Sequence, residues 1–176
     1  MSRTCGTCSA CCRWPSVPEI NKPAKTPCPN LGKGGYKCTI YADRPGTCVN
    51  YQCSWLRGMG AREDQPVLCH VMIDRRMTQW GQVLVAKSLR SGAAMTNKGK
   101  RAIQNATHDE GLPCLIVDHE DTERVIGVAG PRDLIKEVES KAVNGVIKLG
   151  SSGDWIKNIV AAAQQGRVMP GVIDGR

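Results

Sequence analysis

Cys5-Gly6-Thr7-Cys8-Ser9-Ala10-Cys11-Cys12 decides how the first third of this chain is to be read. Two residues between cysteines is the spacing at which a tight turn points both sulfurs at one ion, and Gly6 and Ser9 are small enough for such turns. The adjacent pair is harder to place. Along an extended chain neighbouring side chains point to opposite faces, so Cys11 and Cys12 either serve different sites or only one of them ligates. Working outward, Cys28-Pro29, Cys38, Cys48 and Cys53 follow within the first sixty residues. Eight thiols fill two four-cysteine sites, or one cluster with ligands to spare. Of the ten cysteines, only Cys69 and Cys114 come later. Each lies in an apolar run that reads as a strand, where a thiol is a small buried hydrophobe.

Residues 1–60 contain only eight Val, Ile, Leu and Met but thirteen Gly and Pro. That apolar content cannot offset a backbone entropy cost of roughly 1–2 kcal/mol per residue. Units without a core of their own are stapled by metals or disulfides. The start of the chain, Met1 to Gly6, has no apolar h-region, and no apolar run approaches a membrane span. The expected compartment is therefore cytoplasmic, where thiols stay reduced and ligate metal. Residues 1–60 are expected to form a metal-stapled cysteine-cluster module.

Residues 67–170 read as a small α+β layer. Val67–Asp74 and Gln82–Ser88 are expected strands, and Ala94–His108 an expected helix with Met95, Ala102, Ile103 and Ala106 inward. Pro113–Asp118 and Glu123–Ala129 form a second expected strand pair, joined by the polar turn His119-Glu120-Asp121-Thr122. A helix beginning at Pro131 with Leu134, Ile135 and Val138 inward completes a ββαββα order. A last helix follows Asp154, carries Trp155, Ile156, Ile159, Val160 and Ala163, and stops at Gly166. Gly58–Pro66 is the expected hinge between the two parts.

The formal charge of +8 is uneven: residues 1–60 carry eight basic and two acidic side chains. Such a basic end suits nucleic acid, with Lys22, Lys25, Lys33 and Lys37 as candidates. Metal-bound thiolates would neutralise most of that excess, so nucleic-acid binding is expected to be weak at most.

The run Cys5–Cys12, with Cys28-Pro29-Asn30-Leu31 and Cys38-Thr39-Ile40-Tyr41-Ala42-Asp43-Arg44-Pro45-Gly46-Thr47-Cys48, resembles the CxxCxxCC cysteine-cluster family. Its members are described as zinc- or iron-chelating domains. The resemblance covers about the first third of the chain. It implies that Cys5, Cys8, Cys11, Cys12, Cys28, Cys38 and Cys48 are metal-binding positions, with Cys53 similar to an extra cysteine of some members. A branch of the wider family resembles flagellin lysine methylases, but those chains are much longer, and methyl transfer does not carry over. Within the quoted segment, Arg44 can donate hydrogen bonds to metal-bound sulfurs. Trp14, Tyr36, Tyr51 and Trp55 are expected to shield the sulfurs from water.

Elsewhere the chain has no P-loop, no dinucleotide fingerprint and no nucleophile elbow. Gly32-Lys33-Gly34-Gly35 reads as a loop, Asp118 to Asp121 as a solvated turn, and Lys98, Lys100 and Arg101 as the exposed side of their helix. No catalytic set emerges. The leading expectation is a non-enzymatic metalloprotein whose cysteine cluster rigidifies a surface for protein partners. Its rival is an iron–sulfur redox or metal-assisted enzyme, and the third reading is a nucleic-acid-binding metal module. For the metal, eight cysteines divide into two zinc sites. Three cysteines spaced by two residues, plus a remote Cys28 followed by Pro29, match one arm of the bacterial ferredoxin pattern. That match favours a [4Fe–4S] cluster, narrowly, over zinc.

Overall fold

The computed structural model describes residues 3–78, 81–121, 124–130, 147–148 and 173–174. The described residues among the first sixty form short turns, two 3-10 turns (Pro18–Ile20 and Lys33–Gly35) and two single-turn α-helices, α1 (Ala10–Arg13) and α2 (Gly46–Asn50). Regular structure begins with α3 (Pro66–Cys69), β1 (Val71–Thr78) and β2 (Gly81–Ser88). Helix α4 (Asn97–Glu110), β3 (Cys114–Val117) and β4 (Arg124–Gly130) follow. Both helix and sheet are present, an α+β arrangement. No helix among the described residues is long and apolar enough to cross a membrane.

The sheet is mixed. β1 and β2 pair antiparallel from Val71 opposite Ser88 to Thr78 opposite Gly81. β2 and β3 run parallel, with Leu84 opposite Cys114, so the chain must cross over between them, and α4 makes that crossing. β4 lies antiparallel to β3, and two-residue strands β5 (Ile147–Lys148) and β6 (Ile173–Asp174) pair with it.

Alternation along the strands gives the sheet two buried faces. Val71, Ile73, Leu84, Ala86, Cys114 and Ile116 meet Ala102, Ile103 and Ala106 of α4 on one face. Met72, between Val71 and Ile73, points to the other face and packs with Ala10, Trp14, Cys8, Tyr51 and Cys53. The cysteine-rich segment thus covers the side of the sheet that α4 leaves open.

Helix α4 has a clear start and a clear stop signal. The Thr96 hydroxyl accepts from the Gly99 N–H at 3.1 Å, and Gly111 ends the helix at φ 62°. A Cβ on Gly99 would stand 2.1 Å from the Ala93 carbonyl oxygen, so only glycine lets the first turn lie against Ala93–Met95.

Several boundaries differ from expectation. The run Val67–Asp74 is not one strand: Pro66–Cys69 coil into α3, His70 turns left-handed at φ 58°, and β1 starts at Val71. Proline at the first helical position favours that turn, and seven apolar-rich residues suit a strand and a buried helix equally well. Cys69 is buried as expected, though on the helical turn rather than a strand. The helix begins three residues late because Ala93–Met95 is a 3-10 turn and Thr96 caps the helix. Arg101 lies exposed as expected, and it also holds the buried Asp64 at 3.0 Å. The expected helices beginning at Pro131 and after Asp154 lie outside the described residues.

The segment expected to be a hinge is fastened on both sides. The Gly60 N–H donates to Asp109 at 2.7 Å, and Asp64 accepts from Arg101, Asn105 and the Ala61 N–H. Arg57 pairs with Glu110 at 2.6 Å, just before that segment begins.

Candidate metal centre

Each cysteine is placed by short-range backbone bonding, because the segment has no long element to carry it. The Cys8 N–H bonds the Cys5 carbonyl at 2.8 Å, closing a turn in which Gly6 adopts φ 53°. The Cys12 N–H reaches Ser9 at 3.0 Å, and α1 follows at once. Two further bonds, Cys28 N–H to Cys12 carbonyl and Lys25 N–H to Trp14 carbonyl, both 2.8 Å, zip residues 25–28 alongside α1. A hairpin then folds back, with the Thr39 N–H on Asn30 at 2.9 Å and Leu31 bridged to Cys38. Cys48 arrives on α2, whose Thr47 N–H donates to the Glu19 carboxylate at 2.9 Å. Tyr51 follows, and its hydroxyl donates to the buried Asp74 of β1.

The result is one cavity of about 310 Å³ whose lining includes Cys5, Cys8, Cys11, Cys12, Cys28, Cys38 and Cys48. Cys53 is not in that lining. It packs beside Cys8 on the patch formed by Ala10, Trp14 and Met72. Among the described residues, no three His, Cys, Asp or Glu side chains converge closely enough to hold an ion as they stand. The sulfurs surround a common space rather than a common point.

Cations share that lining: Lys22, Lys37 and Arg44. Lys22 is only 3% exposed, and its ammonium donates to the carbonyls of Pro15 and Pro23. A Val17–Lys22 bridge and the left-handed Asn21, φ 50°, turn it inward, which removes it from the proposed set of phosphate-contacting lysines. Arg44 lies over the Tyr41 ring at 3.9 Å, and its Nε is buried without a hydrogen-bond partner. A buried donor of this kind costs about 1–3 kcal/mol unless something accepts from it. A thiolate or a sulfide in the cavity would be such an acceptor, so the residues present fit a thiolate-bound metal.

The thiols differ in acidity for local reasons. The Cys11 side chain holds Cys5 and Cys12 below the ordinary thiol value, with Arg44 adding to the effect at Cys5 and Lys22 and Arg13 at Cys12. Cys11 itself is pushed up, first by those two hydrogen bonds and then by burial. Burial also pushes up Cys8 and Cys48, and raises Cys53 to about 11. Thiolates in the space would offset the buried cations, and burial of either charge alone is unfavourable.

The aromatic side chains divide. Trp14 is buried and packs against His119 with ring centroids 5.3 Å apart, and Tyr51 lines the cavity. Tyr36 is 54% exposed and shields nothing, while Trp55 lies under Arg3 at 5.0 Å, away from the lining. His119 is correspondingly part of a packed contact, although Asp118 beside it caps the exposed turn through the Glu120 and Asp121 N–H groups. Two structural carboxylates, Asp64 and Glu110, and the Tyr51–Asp74 bond carry no spacing signal that would have revealed them. Their side-chain partners lie 23 to 53 residues away.

Comparison with protein-family models, with curated proteins and with solved structures gives no match.

Proposed function

We propose that this chain is a metal-binding protein of a reducing, cytoplasmic compartment, in which Cys5, Cys8, Cys11, Cys12, Cys28, Cys38, Cys48 and Cys53 supply thiolate ligands. The observation that carries the reading is the gathering of seven of these cysteines around one space together with a buried lysine and an unpartnered arginine donor. Thiolates are soft ligands that suit iron–sulfur clusters and zinc. An iron–sulfur cluster is preferred, because the Cys5–Cys8–Cys11 spacing matches the ferredoxin arm and because one shared cavity suits a polynuclear centre. The resemblance of residues 5–48 to the CxxCxxCC family, whose members are described as zinc- or iron-chelating, supports metal binding without choosing the metal.

Bound metal would replace the hydrophobic core that the segment lacks and fix the turns that carry Tyr36, Tyr41 and Val49, each more than half exposed. Such a rigid, partly apolar surface suits a protein partner. The cavity volume left around the sulfurs favours, as a second reading, a redox or metal-assisted enzyme with an open coordination position. Purification without oxygen followed by metal and sulfide analysis tests the assignment. Brown protein with iron and acid-labile sulfide in equal amounts is expected. Colourless zinc protein would exchange the metal and keep the ligands, and metal-free protein with eight free thiols would end the reading.

A further inference from the structure

We infer that the tip of the 31–38 hairpin, with Arg13 of α1 set against it, is a docking surface for an acidic segment of a partner protein. This rests on the reading of the cysteine-rich segment as a partner-binding surface and names the chemistry of the partner.

Three cations meet at that tip. Lys33 and Lys37 belong to the turn itself, in which the Gly32 N–H donates to the Lys37 carbonyl at 2.9 Å and the Gly35 N–H to the Gly32 carbonyl at 3.0 Å. Gly34 and Gly35 both take left-handed backbone, φ 78° and 79°, which glycine adopts without steric cost. The third cation arrives because Gly35 has no side chain: a Cβ there would collide with the Arg13 guanidinium. The Tyr36 ring lies against Gly34 and is 54% exposed. The tip thus offers an aromatic ring among three positive side chains, all of them exposed.

These charges are not used inside the molecule. Arg57, Arg75 and Arg101, around the sheet and α4, each pair with a carboxylate, but among the described residues no carboxylate pairs with Arg13, Lys33 or Lys37. Carboxylates of a partner would complement them, the guanidinium through a two-pronged hydrogen bond and the ammonium groups as point charges. An apolar side chain between those carboxylates would pack on Tyr36, and Tyr and Arg are the residue types that anchor interfaces. The backbone bonds and the Leu31–Cys38 bridge hold the tip in place beforehand, so binding need not order a loop.

Other occupants fit less well. A second copy meeting this one at the same tip would oppose like charges. Single-stranded nucleic acid stacks successive bases on successive rings, whereas the next exposed ring here, Tyr41, has one face covered by Arg44 at 3.9 Å.

Fluorescence anisotropy on the full chain tests the inference, with a short labelled peptide that carries glutamates on both sides of a central leucine. The wild type is expected to bind it with a Kd below about 100 µM, and more weakly as salt rises. Lys33→Glu/Lys37→Asn lowers the charge of the tip, asparagine suiting position 37, where φ is 61°. That variant should weaken binding about tenfold. Lys98→Glu/Lys100→Gln lowers the net charge by the same amount at the exposed start of α4 and should leave binding unchanged. Tyr36→Ala, which alters no charge, should also weaken binding. Equal loss in both charge variants, full affinity in Tyr36→Ala, or tighter binding of an oligouridylate of equal charge would overturn the inference. Metal is measured on the same samples. Peptide-binding protein that lacks metal would end the metal reading and keep this one; metal-loaded protein that ignores the peptide would do the reverse.

Discussion

Replacing Glu110 by glutamine removes one charge and almost no volume, at the point where three parts of the chain are held together. The carboxylate, at the C-terminal end of α4, has no exposed surface. One oxygen accepts from Arg57, four residues after Cys53, at 2.6 Å; the other accepts from Arg75 of β1, with the Nε at 2.8 Å. A glutamine amide can offer its oxygen to only one guanidinium and must turn its NH₂ toward the other, donor against donor. Hydrogen bonds to charged groups contribute about 1.5–3 kcal/mol each. The Arg75 side chain is 40% exposed, so its arm counts as a surface pair of about 0–1 kcal/mol. The Arg57 side chain is 23% exposed and keeps most of its share. Glu110→Gln should therefore destabilise the protein by about 2–3 kcal/mol at neutral pH. With a urea m-value of about 1–3 kcal/mol/M, the unfolding midpoint falls by about 1 M at equal metal loading.

The pH dependence provides a second readout. Burial alone would raise the Glu110 carboxyl, but hydrogen bonds from Arg57 and Arg75 and their charges overcome it and hold the group below the usual carboxylate range. A depressed folded-state value means that the contribution is complete above the unfolded value of about 4.3 and is lost as pH falls through the folded one. The gap between wild type and variant should hold from pH 7 to about 5 and close in more acid solution. A midpoint moved by less than about 0.2 M, or a gap that persists unchanged in acid, would refute the reasoning.

Gly99→Ala should destabilise by about 2 kcal/mol or more, because the added Cβ collides with backbone that cannot yield; a raised melting temperature, as helix propensity alone would give, would show that the Ala93–Met95 turn moves aside. Cys28→Ser should expose the first sixty residues to limited proteolysis while the sheet and α4 persist, with the first cuts in residues 29–45 rather than in the pinned segment 58–66. Native-like resistance of the cysteine-rich segment in that variant would sink the idea that metal stands in for its core.

The parts of the fold that could be read in advance are those encoded by local pattern. Val83-Leu84-Val85 gives β2 within one residue, and Ala102, Ile103 and Ala106 give the buried stripe of α4. Cys5, Cys8, Cys11 and Cys12 were legible for the same reason, since short spacings leave few geometries, whereas Cys28, Cys38 and Cys48 joined them through the resemblance to the CxxCxxCC pattern. Cys53 was grouped with them as similar to an extra cysteine of some family members, and the chain sets it on the Met72 side. What the pattern does not show depends on partners outside it. Lys22 reads as a surface charge until the bridge to Val17 turns it inward, and nothing in the helix pattern reveals that the exposed Arg101 holds Asp64, 37 residues upstream. Val67–Asp74 failed through true ambiguity, since an apolar run has no period until Pro66 and His70 break it.

The contact of Trp14 with His119 has a consequence for biosynthesis. Trp14 closes the cysteine-rich segment against the sheet, yet its ring partner lies in the turn after β3, more than a hundred residues later. At about 5–20 residues per second, synthesis leaves the first cysteines without that cover for roughly 5–20 s. Met72 of β1, the other main support of Trp14, also comes well after the last of the eight thiols. Metal supplied to the nascent chain would therefore meet a set of open, competing thiols, and the arrangement of cysteines around the cavity can be imposed only once β3 has joined the sheet. Ribosome-bound chains ending before Cys114 should accordingly exchange metal freely, whereas those extending past Gly130 should not.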